Sequence, residues 1–427
     1  MASGGREASA VADGGREASA VAGEGLGTGE VAAGGRGTAD LGARLPDAAG
    51  EGHGPGDGPA EGQGTADSAG KRHGTADAGA EGDDPADADV LPRLLDSVLR
   101  RIDSVLAGES ARWTAVDPRC AAFVDAVTAI TVAKGKLLRP RFCLLGHLAA
   151  GGDPGSADAV DAAAALELLH SFALLRDDVL DDSPLRRGAV TAHERHADDH
   201  RARGLRGEPR RYGEGVANLA ADLSHVYADR LTRRLSEPAR AVWDETRVEV
   251  TVGQYLDIAV AAEGVADPDL SRWIAVCKSG RYTIHRPLQL GATIAGRPDL
   301  ADAFEAYGLP LGEAFQLRDD LIDAFGDSEN TGKPTGLDFA QFKMSYLLSL
   351  AVRRDERIRE LAAAPAGPEA AARMRALLIE SGVADDVERR IAHLVEQARQ
   401  AVAEAPLVSR WRDELMDLTA SVAYRDR

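Results

Sequence analysis

The sequence predicts an all-α protein: a large helical bundle preceded by a long segment without regular structure. Three observations carry this. From Val90 onward apolar residues recur at three- and four-residue spacing almost throughout. Ala, Leu, Glu and Arg, mostly strong helix formers, dominate there, and no alternating β-branched runs bounded by turns interrupt them. Before Val90 the composition is of another kind.

Residues 1–86 contain no Phe, Trp or Tyr and hold 23 of the chain's 46 glycines. Such a segment cannot bury enough apolar surface to offset its conformational entropy, so it is expected to be a disordered, low-complexity tail. GGREASAVA occurs at Gly4 and again at Gly14, and GTAD recurs at Gly37, Gly64 and Gly74. The tail has no apolar h-region, and it is too acidic and too poor in Arg for a typical transit peptide. The folded domain is expected over residues 87–427.

The helices follow in order. VLPRLLDSVLRRIDSVL, from Val90, presents one apolar stripe and ends near Gly108. Further helices are expected around 120–132, 138–149, 157–181, 215–235, 238–262, 269–294 and 299–325, then 339–353, 368–382, 384–403 and 407–423. Gly and Pro punctuate them at Gly151-Gly152, 204–215, 264–268 and 332–336. Helices 157–181 and 299–325 are apolar on more than one face and are expected at the centre. The His- and Arg-rich stretch from His193 to Arg211 reads as a solvated surface loop.

Through residue 90 there are 17 acidic and 6 basic side chains, a net −11; the whole chain carries −19, which leaves −8 for the rest. That acidity argues against nucleic acid as a partner. It does not exclude phosphates held through Mg²⁺. No apolar run approaches the ~20 residues that span a bilayer. Cys120, Cys143 and Cys277 are far apart and odd in number, which fits a reducing cytoplasm and core packing rather than a disulfide framework.

The chemistry concentrates in LELLHSFALLRDDVLDDSPLRRG, from Leu166 to Gly188. Asp177 and Asp181 share a helix face, with Asp178 beside them. Three close carboxylates repel unless a cation lies between them, and clustered oxygen ligands suit Mg²⁺. Alone, this would be an acidic helix end. A second copy changes its meaning: in GEAFQLRDDLIDAFGD, Asp319, Asp320 and Asp323 repeat the spacing at the end of another apolar helix. Two such sets on central helices can face each other across a cavity. With Mg²⁺ between them they would make a diphosphate site and ease departure of that diphosphate. Basic candidates to join it are Lys136, Arg139, Arg186, Arg187, Lys278 and Lys333. Glu167 and His170 also form one E-x-x-H, the unit of di-iron bundles, but no second unit exists in the chain.

Taken together, these residues resemble the trans-isoprenyl diphosphate synthases, or polyprenyl synthetases. GKLLRPRF, ELLHSFALLRDDVLDDSPLRRG, VTAHE, TVGQYLDIA, KSGRYTIHRPLQLGA, GEAFQLRDDLIDAFGD and TGKPTG follow one another in the family's order over residues 90–427. The resemblance implies a helical bundle of isoprenoid synthase type around a central cavity. It implies that Asp177, Asp178, Asp181, Asp319, Asp320 and Asp323 hold three Mg²⁺ against an allylic diphosphate. Gln254 and Asp257 would line the same cavity. Arg186, Lys278, Ser279, Gln316 and Lys333 would surround the allylic diphosphate, and Lys136, Arg139, His170 and Arg187 would bind isopentenyl diphosphate. The implied reaction is ionisation of the allylic diphosphate, attack by the isopentenyl double bond and loss of a proton. A cytoplasmic homodimer is the family expectation.

The chain departs from the family pattern in places. GGKRxRP reads KGKLLRP, with Lys134 and Leu137 at altered positions; Lys-Thr reads Lys278-Ser279, Gly-Asp reads Ala221-Asp222, and Phe342 stands where glycine is common. No metal ligand is lost. Product length is argued from helix geometry. Ala173 and Phe172, four and five residues before Asp177, lie ~6–7.5 Å deeper along the helix. A bulky Phe172 blocks very long products, and a small Ala173 leaves more room than two aromatics would. This combination is most like that of geranylgeranyl diphosphate synthases. The alternatives are a class I terpene cyclase on the same fold, a non-catalytic prenyl-synthase-like subunit and, further off, a di-iron protein. The cyclase would carry an N/D-D-x-x-S/T-x-x-x-E motif, which is not found, and the subunit would have lost aspartates, which are intact.

Overall fold

The computed structural model describes residues 89–132, 135–326, 339, 343–364 and 367–425. The expected tail, its boundary with the domain, Lys333 and Phe342 lie outside these. The described chain is an all-α bundle. Its helices are α1 (Val90–Thr114), α2 (Arg119–Val132), α3 (Leu138–Ala149), α4 (Ala157–Leu180), α5 (Ala192–Ala202), α6 (Pro209–Thr232), α7 (Glu237–Glu263) and α8 (Pro268–Ala275). After a π-helical segment (Val276–His285) come α9 (Arg286–Ile294), a 3₁₀ turn (Pro298–Leu300) and α10 (Ala301–Phe325). α11 (Tyr346–Arg354), α12 (Glu356–Ala362), α13 (Pro368–Glu380), α14 (Val383–Glu404) and α15 (Ser409–Ala423) close the chain. A two-residue hairpin, β1 (Leu185–Arg186) with β2 (Ala189–Val190), links α4 to α5.

Local chemistry sets the boundaries. Ser156 caps α4 by accepting from the Ala159 amide. Glu208 and Asp267 cap α6 and α8, each followed by a proline whose fixed φ suits the first helical position. Packing sets the centre. In α4, Ala162 to Leu169 are buried on every side, and small alanines let α6 and α3 approach closely. α10 packs against α14 and the π segment, and α3 against α9. At the π segment a Cβ on Gly312 would come within 2.6 Å of the Gly280 Cα, so the two backbones touch where only glycine fits.

The expected central helices are central. Several helix bounds shift: α1 runs through Gly108 to Thr114, α6 begins at Pro209 inside the expected break, and the helix expected over 339–353 is not helical at 343–345 and starts at Tyr346. Two larger expectations fail. The stretch from His193 to Arg211 is not a surface loop: α5 occupies its first half and buries His193, His196 and His200. Polar composition misled there, because imidazoles can fill a core when they alternate with exposed charges at helical spacing. The expected helix 269–294 is broken into α8, the π segment and α9. The π backbone adds a residue per turn and so re-phases the side chains on either side of it.

Candidate active site

α4 carries Asp177 and Asp178 into the bundle and ends at Leu180, with Asp181 as its C-cap. Asp178 is 2% exposed. Arg186, brought back by the hairpin, donates from Nε to Asp178 Oδ1 at 2.7 Å and from Nη2 to Asp177 Oδ2 at 3.3 Å. Lys278, on the π segment, places Nζ 3.3 Å from Asp177 Oδ1 and 2.7 Å from Asp257 Oδ2 on α7. Lys343 places Nζ 2.5 Å from Asp181 Oδ2. Three cations from three elements therefore sit on one carboxylate wall.

The second set comes from α10. Asp320 is buried and accepts from Gln316 Nε2 at 2.9 Å. Asp257, Lys278, Ser279, Gln316, Asp320 and Lys343 line one cavity. Through Lys278 and Lys343 this cavity adjoins Asp177 and Asp181, so Asp320 of the second set lies in one space with the first. Asp319 points elsewhere: it pairs with Arg425, whose guanidinium lies 3.7 Å from the Phe315 ring. Asp323 is half-buried one turn beyond Asp319, and Gln254 is half-buried one turn before Asp257.

Burial and charge compete at these groups. Burial alone would raise the Asp177 carboxyl, but Lys278, Lys343 and Arg186 outweigh it and hold it well below the usual carboxylate range. Burial and the charge of Asp177 push Asp181 up to about 6 in spite of Lys343. Burial would depress Lys278, but Asp177 and Asp257 hold its ammonium above the ordinary lysine range. Clustered carboxylate oxygens, with protein cations already resting on them, form a hard donor set of the kind Mg²⁺ takes.

Beside this wall lies a buried cationic cluster. Arg139 is 8% exposed, donates to Thr283 Oγ1 at 2.8 Å and lies over the Tyr282 ring at 4.2 Å. Tyr282 in turn contacts His170 Nδ1 at 2.9 Å. Burial, then Arg139, Arg187 and Arg186, hold His170 well below its ordinary value, so the imidazole is neutral at pH 7. Burial raises the Glu167 carboxyl while Arg139 and Arg187 oppose it. Gly135 lies against Arg187, where an added Cβ would sit 3.3 Å from Nη1, and Lys136 is exposed next to it. Leu137 and Arg187 both adopt left-handed φ, 49° and 53°. Such strain in non-glycine residues persists where the surroundings over-determine the backbone, often at ligand sites. Glu167 and His170 face guanidiniums and Tyr282, which is no iron site.

Deeper along α4, Phe172 stacks on His225 of α6, with centroids 4.9 Å apart and planes at 26°, while Ala173 is half-buried beside it. The structure adds Lys343, Tyr282, Thr283 and Glu167 to the candidate residues. Tyr282 lies within the KSGRYT motif, and Glu167 is half of the E-x-x-H. Lys343 had no local signal, because its partner Asp181 is 162 residues away.

A helical bundle that gathers aspartates from two helices beside buried arginines and lysines has the donor set suited to an anionic substrate bridged by divalent cations. Comparison with known proteins gives the family. A family model described as polyprenyl synthetase matches residues 121–378. The geranylgeranyl diphosphate synthase of Mycobacterium tuberculosis is 32% identical over 79% of this chain and 90% of its own length. A short chain isoprenyl diphosphate synthase of Methanothermobacter thermautotrophicus is 33% identical over 62% of this chain and 77% of its own. A crystal structure of geranylgeranyl pyrophosphate synthase from Corynebacterium glutamicum, complexed with isoprenyl diphosphate and magnesium, superposes with a TM-score of 0.73. It is 32% identical and covers 79% of this chain and 99% of that one. The chain belongs to the polyprenyl synthetase family and is a trans-prenyltransferase. Among the described residues no helix is long and apolar enough to cross a membrane.

Proposed function

We propose that this enzyme condenses isopentenyl diphosphate with an allylic diphosphate, head to tail, and stops at the twenty-carbon geranylgeranyl diphosphate. The observation that carries the product length is Phe172 stacked on His225 beside the small Ala173. Stacking would hold the ring across the path of a chain growing down α4, and the small Ala173 would leave more room beside it than an aromatic would. Asp177, Asp178, Asp181, Asp319, Asp320 and Asp323 would hold three Mg²⁺, which neutralise the allylic diphosphate and make it a leaving group. The link of Asp319 to Arg425 means that it would have to exchange a guanidinium for this role.

The chain's own residues do the rest. Arg186, Lys278, Ser279, Gln316, Lys343 and Lys333 would donate to the allylic diphosphate. Each cation now resting on a carboxylate turns to a phosphoryl oxygen as that charge arrives. Arg139, Arg187 and Lys136 would grip isopentenyl diphosphate, with neutral His170 donating or accepting without adding charge. Gripping both diphosphates fixes the isopentenyl double bond against the allylic carbon, and positioning of this kind supplies much of the rate. Exclusion of water from the cavity by the bound substrates would protect the allylic cation. The proton lost at the end goes to an oxygen of the departed diphosphate, so no protein nucleophile or dedicated base is required.

A homodimer is supported by exposed apolar side chains at helical spacing on two helices: Leu219 and Val226 on α6, and Val248, Val252 and Tyr255 on α7. On a monomer these large side chains would stand in water. Free cysteines at 120, 143 and 277 support a cytoplasmic site of action. We take the catalytic domain to run from about residue 87 to the C-terminus.

The test is incubation with Mg²⁺, isopentenyl diphosphate and dimethylallyl, geranyl or farnesyl diphosphate in turn, followed by identification of the dephosphorylated products. Geranylgeraniol should dominate. Other lengths would refute the stop at twenty carbons, and cyclised hydrocarbon from a preformed prenyl diphosphate would favour a terpene cyclase.

A further inference from the structure

We propose that Asp182, His193 and Glu194 form a site for a borderline divalent cation such as Zn²⁺, apart from the oxygen-only aspartate walls. One ligand atom of each residue lies within 4.8 Å of the others. Independently, His193 is 2% exposed, and neither Nδ1 nor Nε2 has a hydrogen-bond partner. A buried imidazole with both nitrogens idle is unusual, since buried polar groups are nearly always satisfied. Glu194 Oε1 lies 3.7 Å from its Nε2. That is too long for a hydrogen bond. It is close to the roughly 3.4 Å that separates two ligands bonded at about 2.0–2.2 Å to one tetrahedral zinc.

The backbone sets Asp182 apart from its neighbour. Asp181 caps α4 and meets Lys343, whereas Asp182 adopts φ 48° and faces α5. The charge balance suits a dication. Two carboxylates face one arginine: Arg210 Nη2 lies 3.2 Å from Asp182 Oδ1, and its Nε is engaged with Glu214 at 2.7 Å. Asp182 and Arg210 are more than half exposed, which leaves a side open to a water ligand. One imidazole with two carboxylates is softer than the all-carboxylate walls, so it selects Zn²⁺ over Mg²⁺.

Position gives the site a consequence. Asp182 precedes the β1–β2 hairpin and His193 follows it, and that hairpin carries Arg186 while Arg187 sits at its turn. An ion joining the two ends closes this loop and holds both arginines at their diphosphates.

Metal-stripped full-length protein, dialysed against Zn²⁺ in excess Mg²⁺, tests this without substrate. Wild type should retain one more equivalent of Zn²⁺ than the Asp182→Asn/Glu194→Gln double variant. Glu194→Gln alone, at a partly exposed position, should weaken that equivalent at least tenfold with an unchanged circular dichroism spectrum. Zn²⁺ should raise the Tm of wild type and not of the double variant. Equal retention by wild type and double variant, or no retained Zn²⁺ in wild type, overturns the proposal.

Discussion

Replacing Lys343 with Ala should push two measurements in opposite directions. Its Nζ lies 2.5 Å from Asp181 Oδ2, with the side chains only 17% and 11% exposed. At an effective dielectric near 20, a gross attraction of about 6–7 kcal/mol follows from that distance. Desolvation offsets most of it, leaving a net of about 1.5–3 kcal/mol, as for other hydrogen bonds to charged groups. In the resting enzyme this ammonium stands where a metal would otherwise meet Asp181. Lys343→Ala should therefore bind Mg²⁺ alone up to about 10–100-fold more tightly, since about 1.4 kcal/mol is tenfold. With the allylic diphosphate present the same ammonium is a donor to developing negative charge. Its loss should cost about 10²–10³-fold in kcat/KM for the allylic substrate, the usual effect of removing one such donor. Calorimetric titration with Mg²⁺ and steady-state kinetics with each primer read the two effects. Parallel weakening of both, or unchanged kcat/KM, would refute the reasoning.

The remaining predictions are more compact. Phe172→Ala should lengthen the product and Ala173→Phe should shorten it, read by chromatography of the dephosphorylated alcohols; unchanged distributions would remove both residues from the cavity floor. Because Asp181 is raised to about 6, the folded state binds its proton more strongly than the unfolded chain does. Between the ordinary carboxylate value and that point, this group's contribution to apoprotein stability falls as pH rises. Mg²⁺ must displace that proton, so its affinity should drop up to about tenfold per pH unit below 6, measured by titration on either side. Gly312→Ala would drive a Cβ to 2.6 Å from the Gly280 Cα. Overpacking of that kind costs about 1–3 kcal/mol, visible as a lower urea midpoint.

Much of the site was legible because its signals are local. Asp177, Asp178 and Asp181 lie within one helical turn and its cap, and Asp320 repeats the arrangement. Arg139, His170, Arg186 and Lys278 fall where motif order led one to look. The split between Asp319 and Asp320 was not legible, since adjacent residues differ by 100° around a helix and only the packing of α10 shows which one faces the cavity. The burial of His193, His196 and His200 was missed for a related reason: composition reports polarity, not which face of a helix meets the core.

By itself the sequence determined the helical class, the two central helices and the aspartate sets, because periodicity and spacing act over a few residues. Tertiary structure alone decided that Lys343 meets Asp181, that Arg425 meets Asp319, and that Phe172 is held by His225. It also decided that the helix after Pro268 opens into a π segment where Gly280 meets Gly312. Each of these joins residues far apart in the chain. Such pairings follow from how helices pack in three dimensions, and no local pattern encodes them.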